Sequence, residues 1–227
     1  MPESTQLDVD FFFSFRSPYS YLSVPRIQAL ALAHPELAVH VRIVLPLAVR
    51  TPEFFDRVNP LWPPYLVRDC IRLAEYHGMG FHRPRPDPVV QDYVNRVIPE
   101  EQPHIHRLSR LGARAAELGK GLPFILEVSR IIWSGEVIGW NEGDHLARAA
   151  DRAGLSLSDL EADIAADPEH FVQVIEDNQQ ALSAAGHWGV PTFVFKGEPF
   201  FGQDRIDLLI WRLRKHGLSG TTAEQPC

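Results

Sequence analysis

Asp10-Phe11-Phe12-Phe13-Ser14-Phe15-Arg16-Ser17-Pro18-Tyr19-Ser20-Tyr21 is an aromatic run that stops at a serine–proline pair. Val9, Phe11, Phe12, Phe13 and Phe15 make Leu7 to Ser14 an almost continuous apolar segment, the pattern of a strand buried on both faces. Ser17 then suits a helix N-cap. Pro18 suits the first helical position, where its missing N–H would have had no partner. Tyr21, Leu22, Val24, Ile27 and Leu30 carry the helix to about His34-Pro35. Val39, Val41 and Ile43 alternate through a second strand, Ala38 to Leu45, which Pro46 ends. A strand, a crossover helix and a strand wind right-handed, so the two strands are expected to be parallel.

Outward from this unit the pattern changes. Between Thr51 and about Gly186 only helical periods are found. Leu66, Cys70, Leu73 and His77 share one face, as do Leu108, Leu111, Ala115 and Leu118. Leu122, Ile125, Leu126, Ile132 and Trp133 form another stripe. Ser158-x-x-Glu161 reads as a capping box. Asp167-Pro168 opens a long helix through Val172, Ile175, Gln179 and Leu182. Strands return after Gly189-Val190-Pro191. Thr192 to Phe195 and Pro199-Phe200-Phe201 flank a tight turn at Lys196-Gly197-Glu198, the signature of a hairpin. Asp204 then starts a helix with Ile206, Leu209, Ile210 and Leu213 inward. The order is βαβ, a helical block, then ββα. It predicts an α/β fold in which residues 1–50 plus 187–217 form one discontinuous domain, 51–186 a helical insertion and 218–227 a tail.

Composition allows this. Hydrophobic residues are 45% and charged residues 22% of 227, a globular balance able to fill a core. Lys and Arg number 22 against 29 Asp and Glu, a net charge of −7 that opposes nucleic-acid binding. The first residues lack a basic-then-apolar leader, and no apolar run reaches membrane-spanning length. Cys70 and Cys227 are too few for a disulfide framework. The expected compartment is the reducing cytoplasm.

The βαβ…ββα order with Val190-Pro191 before the third strand resembles the thioredoxin pattern, in its DsbA-like branch with a helical insertion. Within that branch the chain resembles 2-hydroxychromene-2-carboxylate isomerases and kappa-class glutathione transferases. The resemblance is carried by Phe15-Arg16-Ser17-Pro18-Tyr19-Ser20-Tyr21-Leu22, by Gly189-Val190-Pro191-Thr192 and by Gly202-Gln203-Asp204-Arg205. Tyr65 to Pro84 fits a family helix and loop. Where redox members place Cys-x-x-Cys, this chain has Ser17-Pro18-Tyr19-Ser20.

The resemblance implies a glutathione-dependent enzyme in which Ser17 activates the cofactor's sulfur at a helix N-terminus. It implies that Pro191 is cis and that Val190 pairs with the peptide backbone of glutathione, with Pro18 beside it. Gln203 and Asp204 would take the γ-glutamyl end. Ser17 as a plain cap, Pro191 as a strand-start proline and Asp204 as a cap are the alternatives for the same residues. Asn59, Arg50 and Tyr65, with Trp62 and Trp188, are candidates for the substrate side. The loop from Pro60 to Pro64 is shorter than in kappa-class transferases and lacks their lysine. A small aromatic substrate, a homodimer and no membrane or nucleic-acid partner complete the expectation. The activity implied is isomerisation of an aromatic catabolite, with glutathione transfer and a non-catalytic peptide-binding module as alternatives.

Other features carry less. His104-x-His106 lacks a third ligand at useful spacing, so no metal is expected. Cys70 lies on an apolar helix face and reads as an inert thiol. Cys227 is placed on a loose tail. Gly119-Lys120-Gly121 is too short for a phosphate loop.

Overall fold

The computed structural model describes residues 6–54, 57–92 and 97–220. Strand β1 is Leu7–Phe13, helix α1 Pro18–Ala33 and strand β2 Leu37–Ile43. Helices α2 (Leu47–Arg50), α3 (Trp62–Tyr76), α4 (Pro103–Glu117), α5 (Gly121–Trp133), α6 (His145–Arg152), α7 (Leu157–Ala166) and α8 (Pro168–Ala184) follow. The chain returns to strands β3 (Thr192–Phe195) and β4 (Glu198–Phe201) and closes with helix α9 (Ile206–Arg214).

The four strands form one sheet in the order β2-β1-β3-β4. β1 pairs parallel with β2, from Leu7 opposite Leu37 to Phe13 opposite Ile43. β3 runs antiparallel to β1, with Phe193 opposite Phe11, and β4 closes the hairpin on it. The odd residues of β1 and β2 face the helices. Helices α4 and α5 lie against β2, and α1 packs on α5. Phe11, Phe13, Phe15, Phe124 and Phe193 are fully buried in one core with Leu108, Ile132 and Trp133. Phe11 stacks on Phe193 at 4.7 Å between centroids.

Several local expectations need correction. β1 is buried on both faces only in its second half. Asp8 and Asp10 sit on the less covered face, where Asp8 meets His40 at 2.8 Å and Asp10 meets Arg42 at 2.8 Å. The cap of α7 is Ser156, which accepts from Asp159 N–H, and not Ser158. Asp167 does cap α8, but Phe171 is buried there while its neighbour Val172 is exposed. Leu118 ends α4 outside the core, because the helix stops one residue before it. Asp204 does not cap the last helix. It lies inside a 3-10 turn, Gln203–Arg205, that puts Arg205 at the cap of α9. Cys227 and the tail beyond residue 220 lie outside the described residues.

Candidate active site

Ser17 caps α1. Its backbone is extended, and its Oγ accepts from Ser20 N–H at 3.2 Å. Pro18 has no N–H and Ser20 has spent its own on the cap. Tyr19 N–H is therefore the first-turn donor with no partner among the described residues. The first turn holds no acidic residue to neutralise the helix dipole. A half-exposed hydroxyl, a spare amide and a positive helix end make a place suited to an anion.

The second half of the site comes from 173 residues away, where Ser17 Oγ donates to Val190 carbonyl at 3.3 Å. The Val190-Pro191 peptide is cis. Several polar atoms of the loop around it are held. Gly189 N–H donates to His187 Nδ1 at 2.9 Å, and Gly189 carbonyl accepts from Thr192 Oγ1 at 2.7 Å. Arg50 donates to the carbonyls of Leu45 and Trp188. Pro191 carbonyl accepts from Gly202 N–H at 2.9 Å. Val190 N–H donates to no described residue, and Val190 carbonyl has only the long bond from Ser17. Val190 is thus the residue at which an extended peptide backbone could pair. Glycine is required at 189, since a Cβ there would lie 2.6 Å from the Phe201 ring.

Gly202, at φ +109°, turns the chain from β4 into the 3-10 turn. Gln203 is buried, and its backbone carbonyl accepts from Arg26 at 3.2 Å. Asp204 is exposed and pairs with Arg205 at 2.7 Å. Such an exposed pair is weak, so its carboxylate can exchange Arg205 for a ligand ammonium at little cost.

A roof crosses from α3. Tyr19 hydroxyl donates to Asp69 at 2.9 Å, which brings α3 beside the first turn of α1. Burial, then the bond to Asp69, pushes the Tyr19 phenol far above its ordinary range. Tyr65, one helical turn before Asp69, is 49% exposed. Aromatic rings flank the loop. Phe54 contacts Trp62 and Trp188, and Phe201 contacts Trp188 and His187, with centroids 4.0 Å apart in the last pair. Trp188 and Phe201 keep 49% and 42% of their surface exposed and so lie outside the core.

The fold gathers Ser17, Pro18, Val190 and Pro191, with Gln203 and Asp204 just beyond Gly202. Arg50 reaches the site as a brace. Both its bonds go to backbone carbonyls, and burial lowers its pKa. Asn59 is spent locally, its Oδ1 accepting from Leu61 N–H at 3.0 Å. Sequence reasoning missed Tyr19–Asp69, His187, Phe201 and the pairing of Arg16 with Asp87, which is two-pronged at 2.5 and 2.7 Å. No motif links residues 71 apart. Gly189 N–H on His187 was findable in principle as a side chain closing on the amide two residues ahead. Among the described residues, no cluster of His, Cys, Asp or Glu could hold a metal. A separate cavity of about 390 Å³ lies along β2 between Gln28, Val41 and Asn178, away from these groups.

A model of the DsbA-like thioredoxin domain family matches residues 104–214. The chain has the DsbA-like thioredoxin fold. Similar solved structures include 2-hydroxychromene-2-carboxylate isomerase, with a TM-score of 0.67 and 21% identity over 92% of this chain and 96% of that one. The probable DsbA oxidoreductase of Streptomyces coelicolor is similar at TM-score 0.65 and 15% identity, over 96% of this chain and 93% of that one. Cytosolic disulfide reductase DsbM from Pseudomonas aeruginosa, solved with GSH, is similar at 0.58 and 17%, over 92% of this chain and 100% of that one. No curated protein matches the chain in sequence. At the N-terminus of α1 the chain has Ser17 at the cap and the buried Ser20 one turn in. Among the described residues, no helix is long and apolar enough to cross a membrane.

Proposed function

We propose that the protein is a glutathione-dependent isomerase acting on a conjugated aromatic catabolite of the 2-hydroxychromene-2-carboxylate kind. One observation carries the reading: a serine hydroxyl, not a thiol, stands at the N-terminus of α1 within hydrogen-bond reach of the cis-proline loop. The enzyme chemistry of this position needs a sulfur. Cys70 cannot supply it, being buried with its thiol pushed up to about 12 by burial and by the charge of Asp69. The residues present fit glutathione as the source. Val190 offers an open N–H to a peptide backbone, and Asp204 offers a carboxylate to an ammonium.

Bound glutathione would supply the nucleophile that adds reversibly to the conjugated substrate, so that a former double bond can rotate before elimination. Ser17 donates its hydroxyl hydrogen to the thiolate, and the α1 terminus with Tyr19 N–H favours the anion. Val190 fixes the peptide, and the exposed rings of Trp188, Phe201 and Tyr65 receive the aromatic plane. A cytoplasmic location and a homodimer belong to the same proposal.

Calorimetric titration with reduced glutathione tests the site. Wild type is expected to bind, with the thiol ionising below its ordinary value of about 8.5. Ser17→Gly keeps most of the capping but has no hydroxyl, so it should bind glutathione with the thiol ionisation returned toward that value. Absence of binding at millimolar glutathione would overturn the proposal.

A further inference from the structure

We infer that His187 is a positioning residue whose neutral imidazole latches the cis-proline loop, making ligand capture at Val190 sensitive to acid. The inference rests on the glutathione reading for its ligand, but the latch itself is a property of the loop.

Gly189 is buried, and its N–H donates to His187 Nδ1 at 2.9 Å. An amide N–H can only donate, so Nδ1 must be the bare nitrogen and the proton of the neutral ring lies on Nε2. A protonated imidazole carries hydrogen on both nitrogens. It has no acceptor left for Gly189, and a buried amide would lose its partner. Gly189 sits one residue before Val190, and its carbonyl is anchored by Thr192. Release of its N–H therefore frees the segment that presents Val190.

Among the described residues, no carboxylate pairs with the imidazole to hold its charge. Its ring lies against Phe201 at 4.0 Å and Trp188 at 5.3 Å. The Arg50 guanidinium reaches the same loop, where it bonds Trp188 carbonyl. Asp204, past Gly202 at the end of β4, is paired with Arg205. From α8, Leu182 carbonyl accepts from His187 N–H at 3.3 Å, and that contact is backbone only. Burial lowers the His187 pKa. The sign follows: with the folded value depressed, the latch is complete above about 6.5, the ordinary histidine value, and is lost as pH falls through the lower one.

Two variants separate the latch from simple packing. His187→Asn supplies an oxygen able to accept the same amide two residues on, and it does not titrate. His187→Phe keeps a ring against Phe201 but has no acceptor. In wild type, the Gly189 amide resonance should move with a single titration below about pH 6.5, the side to which burial shifts His187. Glutathione affinity should fall roughly five- to tenfold across the same step, the worth of one such hydrogen bond. His187→Asn should show near-wild-type affinity at neutral pH and neither change on acidification. His187→Phe should bind five- to tenfold more weakly at every pH. A Gly189 resonance that does not titrate in wild type, or wild-type affinity in His187→Phe throughout, overturns the inference. If wild type binds no glutathione, the functional proposal has failed and the Gly189 titration alone decides the latch.

Discussion

Ser17 is asked to use one hydroxyl twice. Its oxygen accepts from Ser20 N–H while its hydrogen points to Val190 carbonyl. The second bond, at 3.3 Å, is long for a hydroxyl donor, so turning that hydrogen toward a thiolate gives up little. The places of Ser17 at the cap and Pro18 in the first turn of α1 were legible because capping chemistry is local. It could not show that Arg50 would spend its guanidinium on Leu45 and Trp188, 138 residues away in the second case. Cys70 is the opposite case, a residue whose inertness was legible from its apolar helix face and whose depth explains it. With its thiol pushed up to about 12, only about one molecule in ten thousand carries the thiolate at pH 8. In a Cys227→Ser background, a thiol reagent at pH 8 should label Cys70 only after denaturation. Prompt labelling of the folded protein would contradict that burial.

Among the elements, α7 shows how a sound rule picks the wrong residue. Ser156, Leu157, Ser158 and Asp159 offer two serines two positions apart, each with an acidic residue three further on. The helix starts at Leu157, so Ser156 is the cap and takes Asp159 N–H, while Ser158 hydrogen-bonds the Ser156 hydroxyl. Ser156→Ala should cost about 1 kcal/mol in urea unfolding, the usual loss of a serine cap, and Ser158→Ala only a few tenths. Equal costs would show that the cap is shared. Strand positions were easier to read than helix faces. β3 and β4 are short and bounded by Pro191, a turn and Gly202, whereas Phe171 and Val172 are adjacent apolar residues that periodicity alone cannot rank.

Across the molecule, the βαβ–helices–ββα order was legible because strands and helices differ in period. How the middle helices meet the sheet was not. Gly112 lets α4 lie directly on the core: a Cβ there would come 2.9 Å from the Phe15 ring and 3.1 Å from Ile43. The helices thus share their core with β1 and β2, and Arg16–Asp87 and Tyr19–Asp69 tie the helical segment to the first turn of α1. This is why a site made from residues near both ends of the chain is also roofed by its middle. The central claim is that this assembled site uses glutathione catalytically. The most direct measurement is turnover of 2-hydroxychromene-2-carboxylate with limiting glutathione, following substrate and free thiol together. The account predicts many turnovers per glutathione with no net loss of thiol. No isomerisation, or loss of one thiol for each substrate converted, would contradict it.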